Sequence, residues 1–239
     1  MLYSSHAIVL HTIKYGDNKL VVDMLTEVLG RLTFIVRIPK TQRGKLKKQF
    51  FQQLTLLRIE FDYRQNASMQ HLRDVQLATA FSSITNSPTK LSIALFLSEF
   101  LTYATRNEQP NSNMFSFISN SIMFLDNVQE HYANFHIVFM LRLTRFVGFY
   151  PNTDENDTDS FFDLREATFT SMLPTHPDFL APTDSKIIKT LMRINYQTMH
   201  LLPLSRSERN RIAEIIITYY RLHMPSFPNI RSFEILQTL

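Results

Sequence analysis

The hydrophobic period changes once along this chain, at Ser87, and that change constrains the fold more than any other feature. Before it, apolar residues recur at a spacing of two. After it, they recur at the three-and-four spacing of an amphipathic helix. HAIVLHTIKY (6–15), LVVDMLTEVL (20–29) and RLTFIVRI (31–38) are β-branched and apolar, the last alternating through Leu32, Phe34, Val36 and Ile38. LTLLRIEFDYR (54–64) puts Leu54, Leu56, Arg58, Glu60 and Asp62 on one face and Leu57, Ile59, Phe61 and Tyr63 on the other. MQHLRDVQLA (69–78) reads as a fifth strand. Three of the four glycines (Gly16, Gly30 and Gly44) lie between extended segments, and Gly30 predicts a tight hairpin. Five short strands in so little chain predict a small barrel.

From Ser87 onward the pattern is helical. Ser87 is a candidate N-cap with Pro88 at the first helical position, and Leu91, Leu95, Phe96, Phe100 and Ala104 give a wide apolar face. Segments 114–128, 135–149 and 186–199 predict further helices. The last long one opens on SRSE, where Ser205 and Glu208 have capping-box spacing, and it ends before Pro225. The stretch near 149–182 is rich in Asp, Pro and Thr and reads as irregular loop. The expected class is therefore α+β and multi-domain, with a β-barrel over 1–80 and an all-α helical domain over 81–239.

Composition removes several function classes. The chain has no cysteine, which excludes disulfides, a thiolate nucleophile and a Cys-ligated zinc site. No apolar run approaches membrane-spanning length, and the N-terminus lacks the basic start of a secretory signal, so the expected location is cytoplasmic. The glycines are too dispersed for a phosphate-cradling loop or a nucleophile elbow. DENDTD (154–159) lacks the glycine and the terminal glutamate of a calcium loop, and reads as a solvated acidic loop. His131 and His136 are five apart, which places them on different helix faces. No carboxylate pair stands out as an acid–base couple. The chain is not expected to be an enzyme, nor to need a cofactor; a hydrolase with a dispersed site is the third reading.

Charge is distributed unevenly. Residues 1–50 hold nine basic groups against three acidic ones, whereas the remainder holds 16 against 18. The stretch RIPKTQRGKLKK (37–48) contains six Arg or Lys and no Asp or Glu, and FFQQ follows it. Such a run is most often a solvated hairpin loop. Here it joins strands of an expected barrel, and Tyr15, Phe34, Phe50 and Phe51 lie close to it in sequence. A cationic track with exposed rings suits a polyanion, and single-stranded nucleic acid in particular, so Phe50 and Phe51 are candidates to stack on bases.

The segments AIVLHTIKYGDNKLVVDMLTEVLGRLTFIVR and FFQQLTLLRIEFDYR, then SPTKLSIALFLSEFL, GFYPN, FFDLREATF and SRSERNRIAEIIITYYRLHMPSF, resemble the bacterial DNA repair and recombination mediator family RecO, in the family's order and over nearly the whole chain. The resemblance implies an N-terminal OB-fold barrel followed by a helical domain. It implies binding of single- and double-stranded DNA, annealing of complementary strands, and work with RecR. It also implies binding of the C-terminal tail of single-stranded DNA-binding protein, and help in loading RecA. The positions that match the family's DNA-binding cations are Lys14, Lys19, Arg37, Lys40, Arg43, Lys45, Lys47 and Lys48. Many members hold zinc with four cysteines just after the position of GFYP (148–151). Those cysteines are missing here, so the zinc lobe is degenerate, and Phe161, Phe162, Leu164 and Phe169 are expected to fill it instead.

A second reading is a protein-interaction module, with DNA binding secondary. An acidic peptide ending in an aromatic residue suits an apolar groove edged by arginine. Arg142 and Arg145, beside Phe139 and Phe146, are the candidate residues for that partner tail.

Overall fold

A computed structural model describes residues 1–39, 48–106, 108–152 and 160–238. Five strands form a closed barrel: β1 (Leu2–Tyr15), β2 (Lys19–Thr26), β3 (Gly30–Arg37), β4 (Leu56–Asp62) and β5 (Gln70–Leu77). Their order is β1-β2-β3-β5-β4, with β3 and β5 parallel and the other pairs antiparallel. This is the arrangement of an OB-type barrel.

Closure depends on β1. Its first half pairs with β4 and its second half with β2, and the register shifts between Val9 and His11. The extra residue at this β-bulge is Leu10, which lets the long strand bend around the barrel. Ala7, Val9, Leu20, Val22, Met24, Phe34, Val36, Leu57, Ile59, Phe61 and Val75 fill the interior. The alternation read in β4 holds: Leu57, Ile59 and Phe61 point inward, Arg58 and Glu60 outward. Phe34 and Phe61 meet edge-to-face at 5.2 Å in its centre.

Helix α1 (Pro88–Ala104) begins as its sequence predicts, with the Ser87 side chain accepting from Lys90 N. It packs on β1, and Ser98 Oγ donates to the carbonyl of the bulge residue Leu10. Helix α2 (Ser112–Asn127) carries Asp126 in its last turn, and that carboxylate accepts from the amides of Ser82 (3.1 Å), Ser83 (2.8 Å) and Ile84 (2.8 Å). These elements form one compact unit, Met1–Asn127, together with Ile230–Leu239.

The second unit is Val128–Asn229. It holds α3 (Phe135–Leu143), α4 (Pro182–Arg193) and α5 (Arg206–His223). Helix α3 is buried almost all round, which is why its sequence shows little polar face. It stops earlier than its apolar pattern predicts, and tight turns lead from it to Gly148, at φ +89°. Helix α5 has the predicted capping box, with Ser205 and Glu208 bonded reciprocally. Tyr220 Oη donates to Met140 O (2.9 Å), tying α5 to α3.

Two features go beyond the elements that the sequence predicts. The stretch read as loop contains a small sheet, β6 (Phe161–Asp163), β7 (Thr168–Thr170) and β8 (Phe179–Leu180), ordered β7-β6-β8. Its strands are two or three residues long, too short to show a period. The last segment folds back as α6 (Ser232–Gln237) onto α1. Phe233 packs on Phe96 (5.7 Å), and the Glu99 carboxylate accepts from the amides of Arg231 (3.1 Å) and Ser232 (2.8 Å). That carboxylate takes the place of an N-cap supplied from another helix.

Candidate nucleic-acid interface

Turn geometry decides where the cations stand. Gly16, at φ +67°, adopts the left-handed conformation that the β1–β2 turn requires, and Tyr15 emerges directly opposite Lys19. Lys19 lies opposite Arg37 across β2 and β3. The three side chains make one cross-strand row at the end of the sheet. Ile38 N donates to Asn18 O (2.8 Å) and fastens the turn beside that row.

Burial sets the direction of each member. Leu20, Val22 and Met24 on β2, with Phe34 and Val36 on β3, face the core, so Lys19, Val21, Ile35 and Arg37 face outward. Tyr15 faces outward because of the bulge. Strict alternation from Ala7 and Val9 would carry His11, Ile13 and Tyr15 inward. The extra residue at Leu10 reverses the parity, so His11 pairs with outward Asp23, Ile13 with Val21 and Tyr15 with Lys19. Ile13 is consequently 53% exposed and Tyr15 60% exposed.

The same reversal puts Lys14 opposite inward-facing Leu20, at the mouth of the barrel. There Lys14, Lys19, Ile38 and Lys48 line a cleft of about 200 Å³, which Asp17 also lines. An adjoining cleft of about 280 Å³ is lined by Lys19, Ile35, Arg37 and His71. Four of the sequence-derived cations therefore gather at one end of the barrel. Among the described residues, no ion pair joins Lys14, Lys19, Arg37 or Lys48 to a carboxylate. Further along the same face the pattern changes: Arg31 pairs with Asp23 (2.9 Å), and Thr33 Oγ1 also donates to Asp23. Lys40, Arg43, Lys45 and Lys47 lie outside the described residues.

The two candidate stacking rings separate. Phe51 is 2% exposed and belongs to the barrel core, and its carbonyl accepts from Thr12 Oγ1 (2.7 Å). It is therefore removed from the stacking set, because its ring is spent on the interior. Phe34 is buried as well. Phe50 packs against the core from a half-buried position. The exposed ring beside the cations is Tyr15.

The candidate peptide residues divide in the same way. Phe139 is fully buried inside the second unit and offers no surface, because α3 is apolar on every side. Arg142 donates through Nε (3.2 Å) and Nη2 (2.8 Å) to Ile194 O, so its guanidinium caps the end of α4. Arg145 is exposed, lies 4.2 Å from the Tyr150 ring centre and donates to Tyr150 Oη (2.8 Å). Phe146 is half-buried. Of the four, Arg145 and Phe146 reach the surface.

The lobe built on β6–β8 is filled by side chains that do not suit a thiolate metal site. Phe162, Leu164 and Phe169 are buried, Phe162 and Phe169 lie 4.7 Å apart, and Phe161 is only half-buried. Asp163 accepts from the amides of Arg165 (2.8 Å) and Glu166 (3.1 Å) and lies 3.0 Å from His176 Nε2. Burial would raise its carboxyl, but these bonds outweigh burial and hold it below the ordinary aspartate value. Among the described residues there is no group of three His, Cys, Asp or Glu placed to hold a metal ion. Among the same residues no helix is long and apolar enough to cross a membrane.

Comparison with known proteins agrees with this architecture along the whole chain. Residues 1–81 match the family model described as recombination protein O N terminal, and residues 85–230 match recombination protein O C terminal. The chain is 42% identical over 240 residues to the DNA repair protein RecO of Bacteroides fragilis, covering 100% of this chain and 99% of that protein. It is 41% identical over 239 residues to the DNA repair protein RecO of Phocaeicola vulgatus, with the same coverage. The protein of that name in Porphyromonas gingivalis is 30% identical over 245 residues, again with 100% and 99% covered.

Proposed function

From the premise that this chain belongs to the RecO family, we propose that it serves DNA repair and recombination by gripping the phosphate backbone of single- and double-stranded DNA at the mouth of its barrel. One observation carries the reading: Lys14, Lys19, Arg37 and Lys48 converge there without an ion-paired carboxylate among the described residues. Such cations displace condensed counterions, which supplies affinity without sequence preference. Lys40, Arg43, Lys45 and Lys47 add four further cations to the sequence that joins Arg37 to Lys48.

Annealing follows from this chemistry. Two complementary strands repel each other through their phosphates. A cationic surface that holds the backbones screens the repulsion and leaves base edges free to pair. The division of labour is by domain: residues 1–80 hold DNA, and residues 81–239 hold protein partners. In this scheme RecR joins the complex and RecA is loaded onto single strands coated with single-stranded DNA-binding protein, in the cytoplasm at the nucleoid. Arg145 and Phe146 are the surviving contacts for the acidic tail of that protein.

The test is strand annealing across a salt series. The wild-type protein is expected to accelerate pairing at low salt and to lose the effect as salt rises. Joint reversal of Lys14, Lys19 and Lys48 to Glu is expected to abolish acceleration at every salt concentration. Unchanged annealing by that variant would remove the barrel mouth as the DNA surface.

A further inference from the structure

We propose that Tyr15 is a base-stacking platform that makes the barrel prefer single strands, with the apolar row beside it supporting the stacked base. The proposal rests on the DNA-binding reading above and assigns to that surface a second, uncharged component.

Three observations carry it. First, Ile13, Val21 and Ile35 stand opposite one another on β1, β2 and β3, so the outer face of the sheet carries a continuous apolar row. Isolated exposed apolar residues are ordinary, but a contiguous row next to an exposed ring marks a surface made to be covered. Second, the next row is Tyr15, Lys19 and Arg37. With neighbouring strands about 4.8 Å apart, Tyr15 and Arg37 stand on strands about 10 Å apart, with Lys19 on the strand between them. A ring at the end of a row that continues into two cations offers a flat apolar face to a base and positive charge to the phosphates next to it. Third, the ring is exposed only because of the bulge at Leu10, which turns the end of β1 outward. Bulges commonly serve to re-aim a side chain beside a functional surface.

The occupant follows from the chemistry. A duplex hides its base faces and can engage Lys19 and Arg37 alone. A single strand exposes both a π-face and phosphates, so it engages all three members of the row. Tyrosine also suits any of the four bases, because stacking does not read hydrogen-bond edges.

The test compares oligo(dT) and an abasic strand of equal length, and a duplex of half that length so that phosphate number is matched, at fixed salt. Tyr15→Ala is expected to weaken oligo(dT) binding about fivefold or more, and to leave abasic and duplex affinities within twofold of wild type. Tyr15→Phe is expected to bind oligo(dT) as wild type does. Because Tyr15 lies outside the core, the melting temperature should stay unchanged. Equal loss on all three ligands, or no loss on oligo(dT), overturns the stacking role. Equal wild-type affinity for oligo(dT) and the abasic strand overturns it as well. Failure of the parent reading has a different signature: none of the three ligands then responds to Lys19→Ala with Arg37→Ala. If a protein partner covers the row instead, Tyr15→Ala leaves every DNA affinity intact, which also defeats the proposal.

Discussion

Lys19 and Arg37 face each other across β2 and β3, two like charges in direct cross-strand register. Such a pair weakens a sheet, whereas opposite charges in register strengthen it. Lys19→Glu is therefore expected to stabilise the barrel by about 0.5 kcal/mol while reducing DNA affinity. Thermal unfolding and anisotropy titration of the same variant check this, since stability and binding should move in opposite directions.

Salt dependence gives the number of phosphates engaged. If about six are neutralised on a single strand, the slope of log affinity against log salt is about −4. Removing Lys14, Lys19, Arg37 and Lys48 together is expected to flatten that slope by up to about 3. A titration series from low to moderate salt measures both values. A charge reversal at Lys45, Lys47 and Lys48 should weaken binding about tenfold or more, on the same counterion argument.

Asp126 carries more of the first unit's stability than its charge suggests. Its carboxylate accepts from three successive amides, Ser82 to Ile84. Asp126→Ala leaves those amides without their acceptor and is expected to cost on the order of 3 kcal/mol. Lys90 Nζ donates to Ser83 Oγ and to Asp126 O, and burial, opposed by the Asp126 charge, holds its ammonium below the ordinary lysine value. Lys90→Met removes a desolvated charge and keeps the stem, so it should cost clearly less than Asp126→Ala. Chemical denaturation of the two variants compares them directly.

His136 makes the second unit sensitive to mild acid. Burial, with the Arg209 charge adding to it, depresses the imidazole from 6.5 to about 3. The unfolded chain takes up a proton near pH 6.5 and the folded chain does not, so protonation favours unfolding. Stability is complete above that pH and declines as pH falls toward 3, by about 1 kcal/mol between pH 6 and pH 5. Denaturant midpoints across this range should fall in wild type and fall less in His136→Leu. Asp126 and Asp163 act lower in the scale. Their depressed carboxyls contribute stability above about pH 3.8, which is lost only as pH drops through the folded values.

The barrel was legible because β2, β3 and β4 keep a strict period of two and because Gly16 and Gly30 stand where the chain turns. The caps of α1 and α5 were legible because Ser87 with Pro88, and Ser205 with Glu208, are local signals. The cationic run was visible as composition. The stacking ring was not. Phe50 and Phe51 look better placed by proximity, yet Phe51 is interior and Tyr15 is turned out by one extra residue in β1. A bulge changes parity without changing composition, so alternation alone points the wrong way beyond it. Helix α3 misled for a related reason. A helix buried on all sides has no polar stripe, so Arg142 looked available although it is bound to Ile194 O. The sheet β6–β8 and helix α6 are too short to show a period at all.

The return of α6 to α1 has a consequence for how the molecule is made. Phe233 and the Glu99-capped turn complete a unit whose earlier portion ends at Asn127, and residues 128–229 are threaded between the two. A ribosome adding roughly 5–20 residues per second needs about 5 to 20 s to cross that interval. Throughout it, the contact of Phe96 with Phe233 cannot form. The first unit can therefore complete its fold only after the whole of the second has been synthesised.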